Sequence, residues 1–167
     1  MTQPMELTMM EGQALEPVAS TVLHPWMLLA EQAVVDAELY AVVAALEALL
    51  WERSALYWLQ VTLRWLSQDC PLWYVAQAFS CLLAAQADVQ RALERWQAAV
   101  HWLQEYGEPS RAQRYRALAN DALVQQQRLE QKMAQVRHAQ GWVCATWGVS
   151  ASVLLELLEP HAEEGGA

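Results

Sequence analysis

The sequence predicts an all-α fold of antiparallel helical hairpins, and three observations carry that prediction. Ala, Leu, Gln, Glu and Arg dominate the middle of the chain, while its 167 residues include only six Gly, six Pro and one Phe. Unbranched side chains of this kind lose little rotamer freedom on a helix. Apolar residues return at helical intervals, as in Trp51, Trp58 and Trp65 and in the stripe Tyr115, Leu118, Ala122, Leu129, Met133 and Val136. Finally, Pro25, Pro71, Gly107, Pro109 and Gly141 stand where such helices would start or stop. A chain of this length has room for one folded unit with its own core.

Read in order, residues 1–22 form a mobile acidic N-terminal segment, residues 23–160 a single helical domain and residues 161–167 a disordered tail. The first helix begins near Pro25 and runs through MLLAEQAVVDAELYAVVAALEALLW. The polar run Glu52-Arg53-Ser54 contains neither Gly nor Pro, and two readings compete. Ser54 caps a new helix after a turn at 52–54, or one helix runs straight through with Trp51, Trp58 and Trp65 on one face; the turn is the expectation. Asp69-Cys70-Pro71 opens a third helix over 71–86, Ala87-Asp88 makes a tight turn, and Asp88 caps a fourth helix that ends at Gly107. Glu108-Pro109-Ser110 then launches a long polar helix from 110 to about 139, stopped by Gly141. A last helix, about 143–158, has Gly148 at its middle and ends at Pro160.

Charge narrows the function classes. The net charge is −9, yet residues 1–52 carry eight acidic side chains and no Lys or Arg, whereas residues 110–137 carry Arg111, Arg114, Arg116, Arg128, Lys132 and Arg137 against Asp121 and Glu130. Such an arrangement neutralises itself within the fold or across a homodimer. It does not suit nucleic acid, which needs a net cationic surface, and better suits a hydrophobic or basic polypeptide client. Cys70, Cys81 and Cys144 form no CxxC pair and are odd in number, so a reducing, cytoplasmic setting is expected. No signal peptide is visible at the start, and no solid run of large apolar residues predicts a membrane span.

The segment WYVAQAFSCLLAAQADVQRALERWQAAV, residues 73–100, carries the most informative pattern. Ser80 follows Phe79, Ala87-Asp88 makes the turn, and Ala92, Trp96 and Ala99 share a face. It looks like a tetratricopeptide repeat, in which small residues let two antiparallel helices approach closely while Phe79, Leu83 and Trp96 fill the space beside them. A generic helical hairpin gives the same spacing. Residues 36–69 fit the template poorly, so the resemblance implies a partial tetratricopeptide-like array with a long C-terminal capping helix. More weakly, residues 71–123 resemble the last repeat and closing helix of the chaperones that hold type III secretion translocators. Pro71, the Ala78-Phe79-Ser80-Cys81-Leu82-Leu83 run, Ala92 and Pro109 carry that resemblance.

Tetratricopeptide proteins bind extended peptides along the groove lined by the first helix of each repeat, which puts Tyr74, Gln77, Cys81 and Ala84 on a partner-binding surface. For Cys81 and Ala84, packing inside a bundle is the competing reading. Trp142 and Trp147 flank a small-residue stretch and are a second candidate partner contact. No catalytic, cofactor or metal site is expected: His24, His101, His138 and His161 lack ligand spacing to one another or to cysteine, and no ExxH, glycine-rich phosphate loop or GxSxG is present. The sequence thus predicts a non-catalytic protein-binding chaperone or adaptor. Its alternative is a structural subunit of an obligate helical oligomer.

Overall fold

The computed structural model describes residues 20–159, in which there are helices and no strand. In chain order they are α1 (Ser20–Gln32), α2 (Asp36–Trp65), α3 (Leu72–Tyr106), a 3-10 turn (Pro109–Arg111), α4 (Ala112–Trp147) and α5 (Ala151–Leu158). The expected all-α fold is present, as an up-down-up bundle of three long helices.

Cross-helix pairs establish the topology. Tyr40 packs on Trp102, Glu47 on Arg95, Trp51 under Arg91, and Ser54 on Asp88. As the α2 number rises the α3 number falls, so these helices are antiparallel. Glu38 meets Arg111 and Tyr115, and Glu52 meets Arg128 and Lys132, so α2 and α4 run parallel. Helix α3 therefore sits at the centre, packed against α2, α4 and α5. Buried alanines, Ala41, Ala44, Ala45, Ala48 and Ala55 on α2 with Ala85, Ala92 and Ala99 on α3, let the helices approach closely.

Two expected breaks are absent, and for one reason. Neither Glu52-Arg53-Ser54 nor Ala87-Asp88 interrupts its helix. The polar residues read as caps instead bond one another across the α2–α3 interface: the Ser54 hydroxyl donates to Asp88, which also accepts from Arg91 at 2.9 Å. The hairpin at 73–100 is thus not formed, and with it goes the tetratricopeptide-style pair of short helices. Nothing in Ala87-Asp88 forces a stop, since a turn here would need a residue that resists helix, and alanine is the strongest helix former.

The break that does occur was expected elsewhere. Helix α1 runs from Ser20 with Pro25 inside it, so the expected boundary at 22/23 falls within a helix. Residues 33–35 then separate it from α2, with Val35 extended (φ −132°, ψ 154°). Glu38, three residues on, reaches back to accept from Val34 N at 2.8 Å, the residue before the N-cap, which ties the connection to the first turn of α2. The rest of the expected N-terminal segment and of the tail lies outside the described residues.

Glycines mark the other ends. Gly107 ends α3, but its φ of −72° is an ordinary one. It is needed for space: a Cβ there would lie 2.4 Å from Leu103 O and 2.6 Å from the Tyr115 ring. Gly141, expected to stop a helix, lies inside α4 with open space around it. The stop falls at Gly148, whose φ of 64° is left-handed, the usual conformation of a glycine that closes a helix.

Two apolar clusters fill the bundle. One joins Trp26 and Leu29 of α1 to Trp96, Leu103, Leu118 and Leu129; the other joins Leu59, Val75, Phe79, Leu82, Val136, Val143 and Leu154. Trp26 lies 5.6 Å from Trp96 and donates its ring N–H to Asp121 at 2.8 Å. The acidic and basic halves of the chain meet inside the fold. Glu52 is fully buried and holds Arg128 through both carboxylate oxygens, with Lys132 at 3.4 Å and Gln125 accepting from Arg128. Glu38, also fully buried, accepts from Tyr115 and Arg111. Burial pushes its carboxyl up, but the bonds from Tyr115, Val34 N–H and Arg111 outweigh it and hold the group below the usual carboxylate range.

Two stability outcomes follow. Glu52→Ala leaves the Lys132 and Arg128 charges without their carboxylate and costs about 3 kcal/mol in urea denaturation. Gly141→Ala stabilises by about 0.5–1 kcal/mol, whereas Gly148→Ala, forced into a left-handed conformation, destabilises by about 1 kcal/mol. Opposite shifts in melting temperature of the two alanine variants distinguish the interior glycine from the terminating one.

Candidate functional site

The expected partner-binding residues divide on their surroundings. Tyr74 is exposed, Gln77 and Ala84 are half-buried, and Cys81 is buried at 6% exposure. Because α3 is continuous and central, these four do not line a concave groove. Cys81 in particular is corrected from groove to interior, and burial pushes its thiol pKa up. Packing, the competing reading for that residue, describes where it lies.

Tyr74, Trp142 and Trp147 are instead associated with one end of the bundle. There α2 finishes in Trp65, α3 begins with Leu72, Trp73 and Tyr74, and α5 folds back after the Gly148 stop. Trp65 packs at 5.9 Å from Trp73 and 5.3 Å from Tyr74, and Trp73 lies 5.8 Å from Tyr74. Trp142 and Trp147 meet edge to face at 5.8 Å and pack, partly buried, against the second apolar cluster. Helix α5 is short and is capped by Ser150, whose hydroxyl accepts from Val153 N at 3.3 Å. Of its apolar residues Leu154 is fully buried, while Val153, Leu155 and Leu157 are exposed.

This end therefore presents Leu72, Trp73, Tyr74, Val153, Leu155 and Leu157 to solvent around a partly covered core. The Trp142 ring N–H is shut off from solvent with no acceptor among the described residues, an unsatisfied donor of the kind folded proteins rarely keep. The charges in the segments that build this end are Asp69, Glu156 and Glu159 against Arg64. The surface is thus apolar, aromatic and slightly acidic. Of the residues at this end, the sequence singled out Tyr74, Trp142 and Trp147 and not Leu72, Trp73 or the exposed leucines of α5. The signal for the latter was present in the apolar run of ASVLLELL, whose eight residues cannot bury every apolar side chain against one neighbour.

Elsewhere, an open cleft of about 500 Å³ lies at the α3–α4 corner, lined by Leu103, Gly107, Glu108, Tyr115, Arg116 and Asn120 among others. Among the described residues no group of three or more His, Cys, Asp or Glu could hold a metal ion. No single described helix is long and apolar enough to cross a membrane; residues 109–147 and Ala151–Leu158 reach that composition only together, across an 88° bend. No protein-family model matches the chain, nor does any curated protein or solved structure.

Thiol chemistry checks the placement of Cys81. In the native protein Cys81 alkylates at least about ten-fold more slowly than half-buried Cys70, since both access and thiolate fraction are reduced, and denaturation removes the difference. Mass spectrometry of iodoacetamide-pulsed peptides reads this, and equal native rates would restore the groove.

Proposed function

We propose that this protein is a non-catalytic binding protein that holds a hydrophobic or basic polypeptide segment at the Trp65–Trp73–Tyr74 end of its bundle, as an adaptor or chaperone does. The observation that carries the reading is that the two helices at this end leave six large apolar side chains exposed, with Trp73 and Tyr74 packed on one another and on Trp65. Contiguous apolar patches on a folded surface mark contact sites, and tryptophan and tyrosine dominate the energetics of such contacts. The acidic residues of the surrounding segments favour a basic or neutral client over an acidic one. Cys70, Cys81 and Cys144 are free thiols, which suits a cytoplasmic setting. Residues 73–100 run as one helix, so this reading is independent of the secretion-chaperone resemblance.

The amphipathic partner implied is a short helix or extended segment whose apolar anchors pack on the side chains exposed at this end, Trp73, Tyr74 and Leu155 among them. A photo-crosslinking amino acid at Tyr74 or Leu155, expressed in cells, should yield a discrete protein adduct, whereas the same group at exposed Arg116 on α4 should not. Trp73→Ser with Leu155→Ser should weaken binding of the identified partner at least about ten-fold while moving stability by no more than about 1 kcal/mol, both side chains being solvent-exposed. Adducts of equal yield at Tyr74 and Arg116, or none at either, would remove the proposal.

A further inference from the structure

A second apolar surface lies away from that end, along the outer face of α2. Leu39, Val43, Leu50 and Tyr57 are 44%, 49%, 64% and 54% exposed. At 100° per residue these four fall within an arc of about 40°, on a helix about 45 Å long. Such a stripe on the outside of a bundle is a coiled-coil seam without its partner.

The charges of α2 say what the partner is. The helix has six charged residues, of which Glu38 and Glu52 are buried against α4. The four that remain, Asp36, Glu47, Arg53 and Arg64, are arranged evenly about Leu50. Asp36 and Arg64 lie fourteen residues to either side of it, and Glu47 and Arg53 three. Val43 and Tyr57 are seven residues to either side. We propose that the α2 face binds a second copy of this chain, the two helices lying antiparallel about a two-fold axis at Leu50. In that register Asp36 stands level with the partner's Arg64, Glu47 with the partner's Arg53 across the seam, Val43 with the partner's Tyr57, and Leu50 meets itself. A parallel pairing would set every charge against its like.

Such an interface is isologous and closes at two copies. Glu47 keeps its contact with Arg95 at 3.2 Å, since its half-exposed carboxylate has lone pairs for both guanidinium groups. Tyr40 and Trp102, packed on one another at 5.0 Å, flank the seam and extend it onto α3. The apolar stripe stops at Tyr57, and the seam reaches the Trp73 end only through Arg64, so a dimer would present two client-binding ends.

Sedimentation velocity and cysteine crosslinking on the full chain test this. The native protein should sediment at twice 18.9 kDa, and Leu50→Arg, which sets like charges together on the axis, should weaken the dimer at least about ten-fold. Circular dichroism of that variant should be unchanged, because Leu50 points to solvent. Under mild oxidation Leu50→Cys should link to itself and Val43→Cys should link to Tyr57→Cys in a mixture. Val43→Cys should not link to itself, the two sites lying about 21 Å apart. A native chain that stays at 18.9 kDa at about 100 μM, far above the Kd of a standard-size interface, overturns the proposal. So does a Val43→Cys chain that links to itself, or a Leu50→Arg chain that stays dimeric. A monomer that still crosslinks a client through Tyr74 overturns the dimer alone and leaves the binding end standing.

Discussion

The Glu52 carboxylate, buried among three helices, is the constraint around which the bundle is organised. A charge in that position is tolerable only if compensated, and its compensation comes from Arg128 and Lys132 on α4, 76 and 80 residues away in sequence. Holding both oxygens in a guanidinium fork fixes the sliding of α2 against α4. The Ser54–Asp88 bond, two residues along α2 and on a different side, fixes α2 against α3. With both registers set at mid-bundle, the alanine-rich α2–α3 contact and the two apolar clusters on either side have one way to pack. Alanine surfaces alone are too smooth to choose a register, which is what the polar pairs supply.

This explains how much of the fold could be read in the chain. Helical character was legible from composition, and the acidic first third was correctly set against a basic helix, because charge segregation is a property of sequence. The helix boundaries at Pro71 and Gly107 were also legible, although Gly107 serves by leaving space for Tyr115, while the left-handed stop at Gly148 was read as mid-helix. Ends inferred from polar side chains failed. Ser54 and Asp88 have the chemistry of caps, but a hydroxyl and a carboxylate satisfied by each other across an interface no longer need a helix terminus, and no sequence pattern announces a pairing 34 residues apart. The same holds for Gly141, which is tolerated on the exposed side of α4 where nothing approaches it.

The candidate site was legible in part, again for a physical reason. Trp142 and Trp147 were singled out because they flank a small-residue stretch, and both lie partly buried at the aromatic end. Tyr74, Gln77, Cys81 and Ala84 were assigned through a hairpin template, which fell with the turn at Ala87-Asp88; Tyr74 is exposed for another reason, its place in the first turn of α3. The exposed α5 side chains could not be placed before the bend at Gly148 was known, since a helix running on from 143 would have turned a different set of residues outward. The proposed site consists of what three long helices leave uncovered, so it depends on register more than on motif.

The bend at Gly148 has a further consequence, for motion. Helix α5 has eight residues, too few to persist as a helix unsupported, and it sends one buried side chain, Leu154, into the core. Its detachment therefore needs far less free energy than unfolding the bundle, which makes it a separate cooperative unit at the low end of the stability scale. Each opening bares the neighbours of Leu154 in the second cluster, Val75 and Phe79 among them, while the ion-paired centre stays closed. The aromatic end is thus the part of the molecule that breathes. If the proposed client binds there, it would meet an apolar surface whose extent varies with time, and it would trap the open form by taking the place of Leu154.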